Sequence, residues 1–148
     1  MNVGGHRMPE HYWVDTNVIL RFITQSPDEH ARKATRIMEG VDSGQFILHI
    51  HSLIIAECCY VLQGKVYNLT HEYIAHILKA LILSDGIEAE EEQVLLKALD
   101  YYDQHRIDFE DAYLAAYSET QSHRRILTFN SKDFAQTSAE CYSPADLS

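Results

Sequence analysis

The chain has 148 residues, 46% of them hydrophobic, and a formal net charge of −10 at pH 7. That size suits one domain with one core, and no apolar run approaches the ~20 residues that span a bilayer, so a membrane protein is not expected. The acidic balance argues against a protein that grips nucleic acid through its overall charge, because that attraction needs phosphates neutralised by Lys and Arg.

The start, MNVGGHRMPEHYW, lacks the apolar centre of a secretory signal. Cys58 and Cys59 are adjacent, where a mutual bridge would be strained, and a third cysteine leaves the count odd. A reduced, cytoplasmic setting fits, with the cysteines as small core hydrophobes. Residues 1–10 show no periodicity and read as a loose N-terminus or a remnant of expression cloning, so neither His6 nor the following His11 is counted as a ligand. Residues 11–148 contain no linker or repeat and read as a single domain.

HYWV is a short strand ending at Asp15, and TNVILRFIT follows as a helix. SPDEHARKATRIMEG is a second helix, with Ser26 as cap, Pro27 in the first turn, Asp28 and Glu29 at the positive end and Gly40 as the stop. QFILHI reads as a buried strand and SLIIAECCYVLQGK as a helix with Ser52 as a possible cap. In THEYIAHILKALILSDG the apolar residues Tyr73, Ile74, Ile77, Leu78, Leu81 and Ile82 recur on one helical face. GIEAE is a short strand, EEQVLLKALDYYDQH and DFEDAYLAAYSETQSH are helices, RILTF is a strand, and the tail from Asn130 has no clear assignment. Apolar strands alternating with helices indicate an α/β domain with a mostly parallel sheet covered on both faces. Such sheets gather functional groups at the carboxyl ends of their strands.

Acids from four separated segments fall where that edge would collect them. Asp15 follows the first strand directly, although Asp15, Thr16 or Asn17 would each serve equally well as a helix cap. Glu57 sits among Ile54, Cys58 and Val61 on an apolar helix, a face that should turn inward; a buried carboxylate needs a partner or a proton. Asp108 and Asp111 have capping-box spacing before an alanine-rich helix, where Asp111 in the first turn can approach the sheet edge. Asn130 and Asp133 follow the last strand, where Asn130 alone would read as a turn residue. Carboxylate oxygens without clustered Cys or His favour Mg2+ or Mn2+ over zinc. The basic residues concentrate in ARKATR and RRILTFNSK, which leaves room for a local phosphate track; Arg21, Lys132 and Arg124 are its candidates.

WVDTNVILRF, SLIIAECCYVL, RIDFEDAYLAA and ILTFNSKDF, in that order and spacing, resemble the PIN-domain ribonucleases, especially the VapC toxins of bacterial toxin–antitoxin pairs. The resemblance spans Tyr12 to about Phe134. It implies a Rossmann-like three-layer α/β/α fold with a mostly parallel central sheet, and Mg2+- or Mn2+-dependent cleavage of RNA. Frequent homodimers and inhibition by a cognate antitoxin protein are implied as well. By motif, Asp15, Glu57 and Asp111 occupy the principal acidic positions. Members that read TFD or SFD carry an aspartate where this chain has Asn130, while others place the acid in the following DF, which makes Asp133 the fourth catalytic candidate. Asp108, Asn130 and Asn17 remain secondary candidates.

A housekeeping PIN nuclease of RNA processing would share this site, and a PIN-like module that binds RNA or protein without cutting is the alternative from another class. A phosphatase with an aspartyl nucleophile typically has a second acid two residues after the first, where this chain has Asn17.

Overall fold

A computed structural model describes residues 8–147. Of the proposed loose N-terminus, residues 1–7 with His6 lie outside the described residues, and Glu10 already belongs to the first strand. The elements run β1 (Glu10–Trp13), α1 (Thr16–Thr24), α2 (Asp28–Asp42), β2 (Phe46–Ile50), α3 (Ser52–Gln63), α4 (His71–Ile82), β3 (Ile87–Ala89), α5 (Glu92–His105), α6 (Phe109–Ser118), β4 (Arg125–Leu127), α7 (Ser131–Phe134), β5 (Glu140–Tyr142) and a closing 3-10 turn, Pro144–Leu147.

Strands β1, β2 and β3 form a parallel sheet in that order, and β4 and β5 pair in parallel with each other. The alternation expected from the sequence is therefore realised as a Rossmann-like α/β fold. The ladder is in two pieces among the described residues. β1 pairs only with β2, and all four of its residues are exposed, so the expected cover on both faces does not extend to this strand.

Strand alternation sorts the sheet's two faces. Leu48 and Ile50 of β2 and Ile87 of β3 are buried together with Ile74, Leu78 and Ile82 of α4, which makes the periodic face of that helix the wall of the core. Tyr73, from the same sequence pattern, is half exposed in the first turn of the helix. Ile55, Cys58, Cys59 and Leu62 of α3 are fully buried, and each large aliphatic among them contributes roughly 2 kcal/mol by leaving water. All three cysteines are free, and burial pushes the Cys58 thiol up to about 12, which leaves it inert.

Three punctuation signals act differently from their expected roles. The helix α2 starts at Asp28 with Pro27 at the cap, so the Ser26 hydroxyl falls outside its first turn; the Ser26 carbonyl instead accepts from Arg21 and Thr24. Gly40 does not stop α2, which continues to Asp42; a Cβ on Gly40 would lie 2.5 Å from the Phe46 ring, so glycine is needed there for close packing against β2. Ser52 is likewise not the cap of α3; His51 caps it, its ring accepting from the Leu53 backbone at 3.0 Å. Among the described residues no helix is long and apolar enough to cross a membrane.

The turn before β3 depends on Gly86, which has φ +85° and whose carbonyl accepts from Leu48 N–H at 2.9 Å. A Cβ there would meet Val41 Cγ1 at 2.6 Å, whereas at Gly44, with φ +84°, it would meet nothing within 4 Å. Gly86→Ala combines left-handed strain with a clash and should cost about 2 kcal/mol of stability in urea unfolding, while Gly44→Ala carries the strain alone and should cost about half as much. Equal losses would show that the Val41 contact is unimportant.

Candidate active site

The carboxyl end of β1 delivers Asp15 to the start of α1, where the chain turns from extended to helical. Asp15 is the N-cap, its carboxylate accepting from the Thr16 backbone at 2.8 Å, and it remains exposed. Its neighbour Thr16 is buried and donates its hydroxyl to Glu57 Oε1 at 2.6 Å, which ties the start of α1 to the middle of α3. Glu57 is exposed rather than turned inward. The helical phase explains the difference: Ile55, Cys58, Cys59 and Leu62 take the core side, and Glu57 shares the outer side with Leu53 and Tyr60, which are 71% and 73% exposed. Of the neighbours that suggested burial, Cys58 is in the core and Ile54 and Val61 pack against it, but Glu57 lies at the helix phase that faces away from them.

The second pair of acids is more enclosed. Asp111, in the first turn of α6, is half-buried, and Ala112, Ala115 and Ala116 of the same helix are in the core. Asp111 and Asp133 are in hydrogen-bond contact. Burial first, then the hydrogen bond and negative charge of Asp133, and then the charges of Asp108 and Glu110 push the Asp111 carboxyl up to about 6. Asn130 steadies the pair by donating its side-chain amide to Asp133 Oδ2 at 2.8 Å, across the single turn of α7. Asp108 stands at the N-cap of α6 without a side-chain capping bond, so the expected capping box is not formed and Asp108 points its exposed charge to solvent.

The remaining candidates surround these pairs. Asn17 and Arg21 line a cleft of about 300 Å3 between α1 and α2 together with His30 and Lys33. Arg124 and Lys132 are exposed, and Arg124 donates to the Gln121 carbonyl at 3.3 Å. No three of Asp15, Glu57, Asp111 and Asp133 have ligand atoms all within 4.8 Å; among the described residues only His11, His49 and Glu88 do. The four acids therefore stand as two linked pairs, Asp15 with Glu57 through Thr16, and Asp111 with Asp133.

These donors fit a hard divalent cation. All are oxygens, and a cation beside Asp111 and Asp133 would offset the burial and the like charge that together raise the Asp111 carboxyl. A second polar network was not expected from the sequence. Glu91, at the start of the helix read from EEQVLLKALDYYDQH, is half-buried in a cleft of about 420 Å3 and accepts from Ser52 Oγ at 2.8 Å and Tyr113 Oη at 2.5 Å. Its partners are 39 and 22 positions away, so no local pattern reveals it.

A family model described as PIN domain matches residues 12–140. The chain belongs to the PIN-domain family. No curated protein and no solved structure matches it. PIN domains are generally metal-dependent nucleases, which agrees with an oxygen-donor site at the strand ends of an α/β sheet.

The raised Asp111 pKa has a consequence for stability without metal. Between the ordinary value of 3.8 and about 6, the unfolded chain releases this proton while the folded chain keeps it, so rising pH over that window lowers the group's contribution to stability. In EDTA, the urea midpoint of Asp111→Asn should lose that downward component while the parent protein keeps it. Parallel pH profiles would show that Asp111 is not the group responsible.

Proposed function

We propose that this PIN domain is an Mg2+- or Mn2+-dependent endoribonuclease that hydrolyses phosphodiester bonds in RNA, and that it serves as the toxin of a bacterial toxin–antitoxin pair. The observation that carries the nuclease reading is the pairing of carboxylates from separated segments, Asp15 with Glu57 and Asp111 with Asp133, in a chain of the PIN family.

In this account Asp15 and Asp111 would hold the principal ion, with Glu57 and Asp133 completing its shell or holding its waters. The bound ion supplies an acidified water as nucleophile and offsets the charge that grows on the phosphate. The protein's own groups orient the donors. Thr16 Oγ1 fixes one oxygen of Glu57, leaving the other for a water, and the Asn130 amide fixes Oδ2 of Asp133. Asp111 must give up its proton to act as a ligand, so binding should strengthen as pH rises through about 6. Arg21, with Lys33 and His30 along the α1–α2 cleft, would guide phosphates toward Asp15, while Lys132 and Arg124 would hold the strand on the far side.

The toxin assignment rests on the resemblance of the four motifs to VapC proteins. The expected partners are an RNA substrate, a second copy of the chain and a cognate antitoxin, for which the acidic surface suits a basic inhibitory tail. A small upstream reading frame whose product restores growth on co-expression supports the toxin role; its absence favours a processing nuclease with the same site. A non-cleaving module is the competing reading, favoured by the separation of the two carboxylate pairs.

Asp15→Asn should retain the parent's far-UV circular dichroism and lower Mn2+-dependent RNA cleavage at least about a hundredfold, because an ion of this kind is worth several kcal/mol in the transition state. Undiminished cleavage by the variant would overturn the assignment, and no cleavage by the parent protein in any divalent ion would favour the binding module.

A further inference from the structure

The open face of the β1–β2–β3 sheet carries a second set of ligand-type side chains, and they come from all three strands. Register places Trp13 beside His49 and His49 beside Glu88, and alternation turns His11 to the same side as Trp13. His11 Nδ1 lies 2.8 Å from His49 Nε2, the rings stack with centroids 5.1 Å apart, and Glu88 brings a carboxylate oxygen so that the three ligand atoms lie within 4.8 Å of one another. His11 and Glu88 are exposed and His49 is half-buried, so the group is reachable from solvent.

We propose that His11, His49 and Glu88 bind a transition-metal ion of the Zn2+ class, at a site on the sheet face that is separate from the carboxylates at the strand ends. Two imidazole nitrogens with one carboxylate oxygen form a borderline-soft donor set, which selects Zn2+, Co2+, Ni2+ or Cu2+ over Mg2+. An ion bonded at ~2.0–2.1 Å holds its donors at most ~4.2 Å apart, so side-chain rotation alone is enough to close the group. In the metal-free protein one ring nitrogen must donate to the other across the 2.8 Å contact. On binding, the donor ring moves that proton to its other nitrogen, and both facing lone pairs become available. With three protein ligands the ion keeps a position for water, and it clips β1, β2 and β3 together.

Trp13 reports on this site directly. It is the single tryptophan of the chain, and its ring centroid lies 5.2 Å from that of His49. The full chain, stripped with EDTA, is titrated with Co2+ in the presence of excess Mg2+, which occupies oxygen-donor sites. The expected result is a saturable loss of tryptophan emission at one equivalent per chain, reversed by Zn2+. Glu88→Gln, an exposed change that leaves the core intact, and His11→Gln should each raise the half-quenching Co2+ concentration by about tenfold or more, since even outer-shell partners of metal sites are worth that much. Asp111→Asn should leave the titration unchanged. Absence of saturable quenching, or quenching that persists in both Glu88→Gln and His11→Gln, would overturn the proposal.

Discussion

The parallel pairing of β1 with β2 is the constraint on which both constellations depend. The register sets Trp13 against His49, and Val14 N–H continues the ladder to the His49 carbonyl at 3.0 Å. With that alignment Asp15 leaves the sheet level with the start of α3, so that Thr16 reaches Glu57 across 41 positions of sequence. The same alignment places His11 and His49 on one face. A slip of one residue would turn every β1 side chain to the opposite face and dissolve both arrangements. The register is fixed from the core side, where Leu48 and Ile50 are buried, because β1 itself is exposed throughout and has little burial of its own to enforce it.

Electrostatics then separates the two halves of the carboxylate site. Asp15 and Glu57 are exposed, and each accepts a hydrogen bond, from the Thr16 amide and the Thr16 hydroxyl respectively. Asp111 is half-buried and faces Asp133 with Asp108 and Glu110 close by, so burial and neighbouring negative charge act in the same direction on its carboxyl. A site that gathers like charge before a cation arrives is strained in the direction that cation binding relieves. On the proposed mechanism, the driving force for ion binding would lie on α6 and α7, and the β1 and α3 side would position the nucleophilic water.

Much of this was legible from periodicity and punctuation. TNVILRFIT is helix α1 from end to end, and the apolar row of α4 falls where its spacing places it except at Tyr73, because local helical patterning and core burial agree along the rest of the helix. The pairing of Asn130 with Asp133 follows from a three-residue spacing on a helical turn. What was not legible depends on tertiary phase. Glu57 looked buried because it lies within ten mostly apolar residues, Leu53 to Leu62, yet it shares the outer helix phase with Leu53 and Tyr60, which are surface residues. Gly40 looked like a helix stop and instead makes room for the Phe46 ring. His11 was set aside with the N-terminus, and only strand register brings it to His49.

The central claim is that the two carboxylate pairs act on one ion. A double-mutant cycle on Mn2+ affinity, read by the electron paramagnetic resonance of free Mn2+, tests it with Asp15→Asn, Asp111→Asn and the double variant. If one ion bridges the pairs, each substitution weakens the same binding event and the double variant loses much less than the sum of the two. Strictly additive losses, or one Mn2+ retained at undiminished affinity in either single variant, would show that the pairs work independently and would contradict the account.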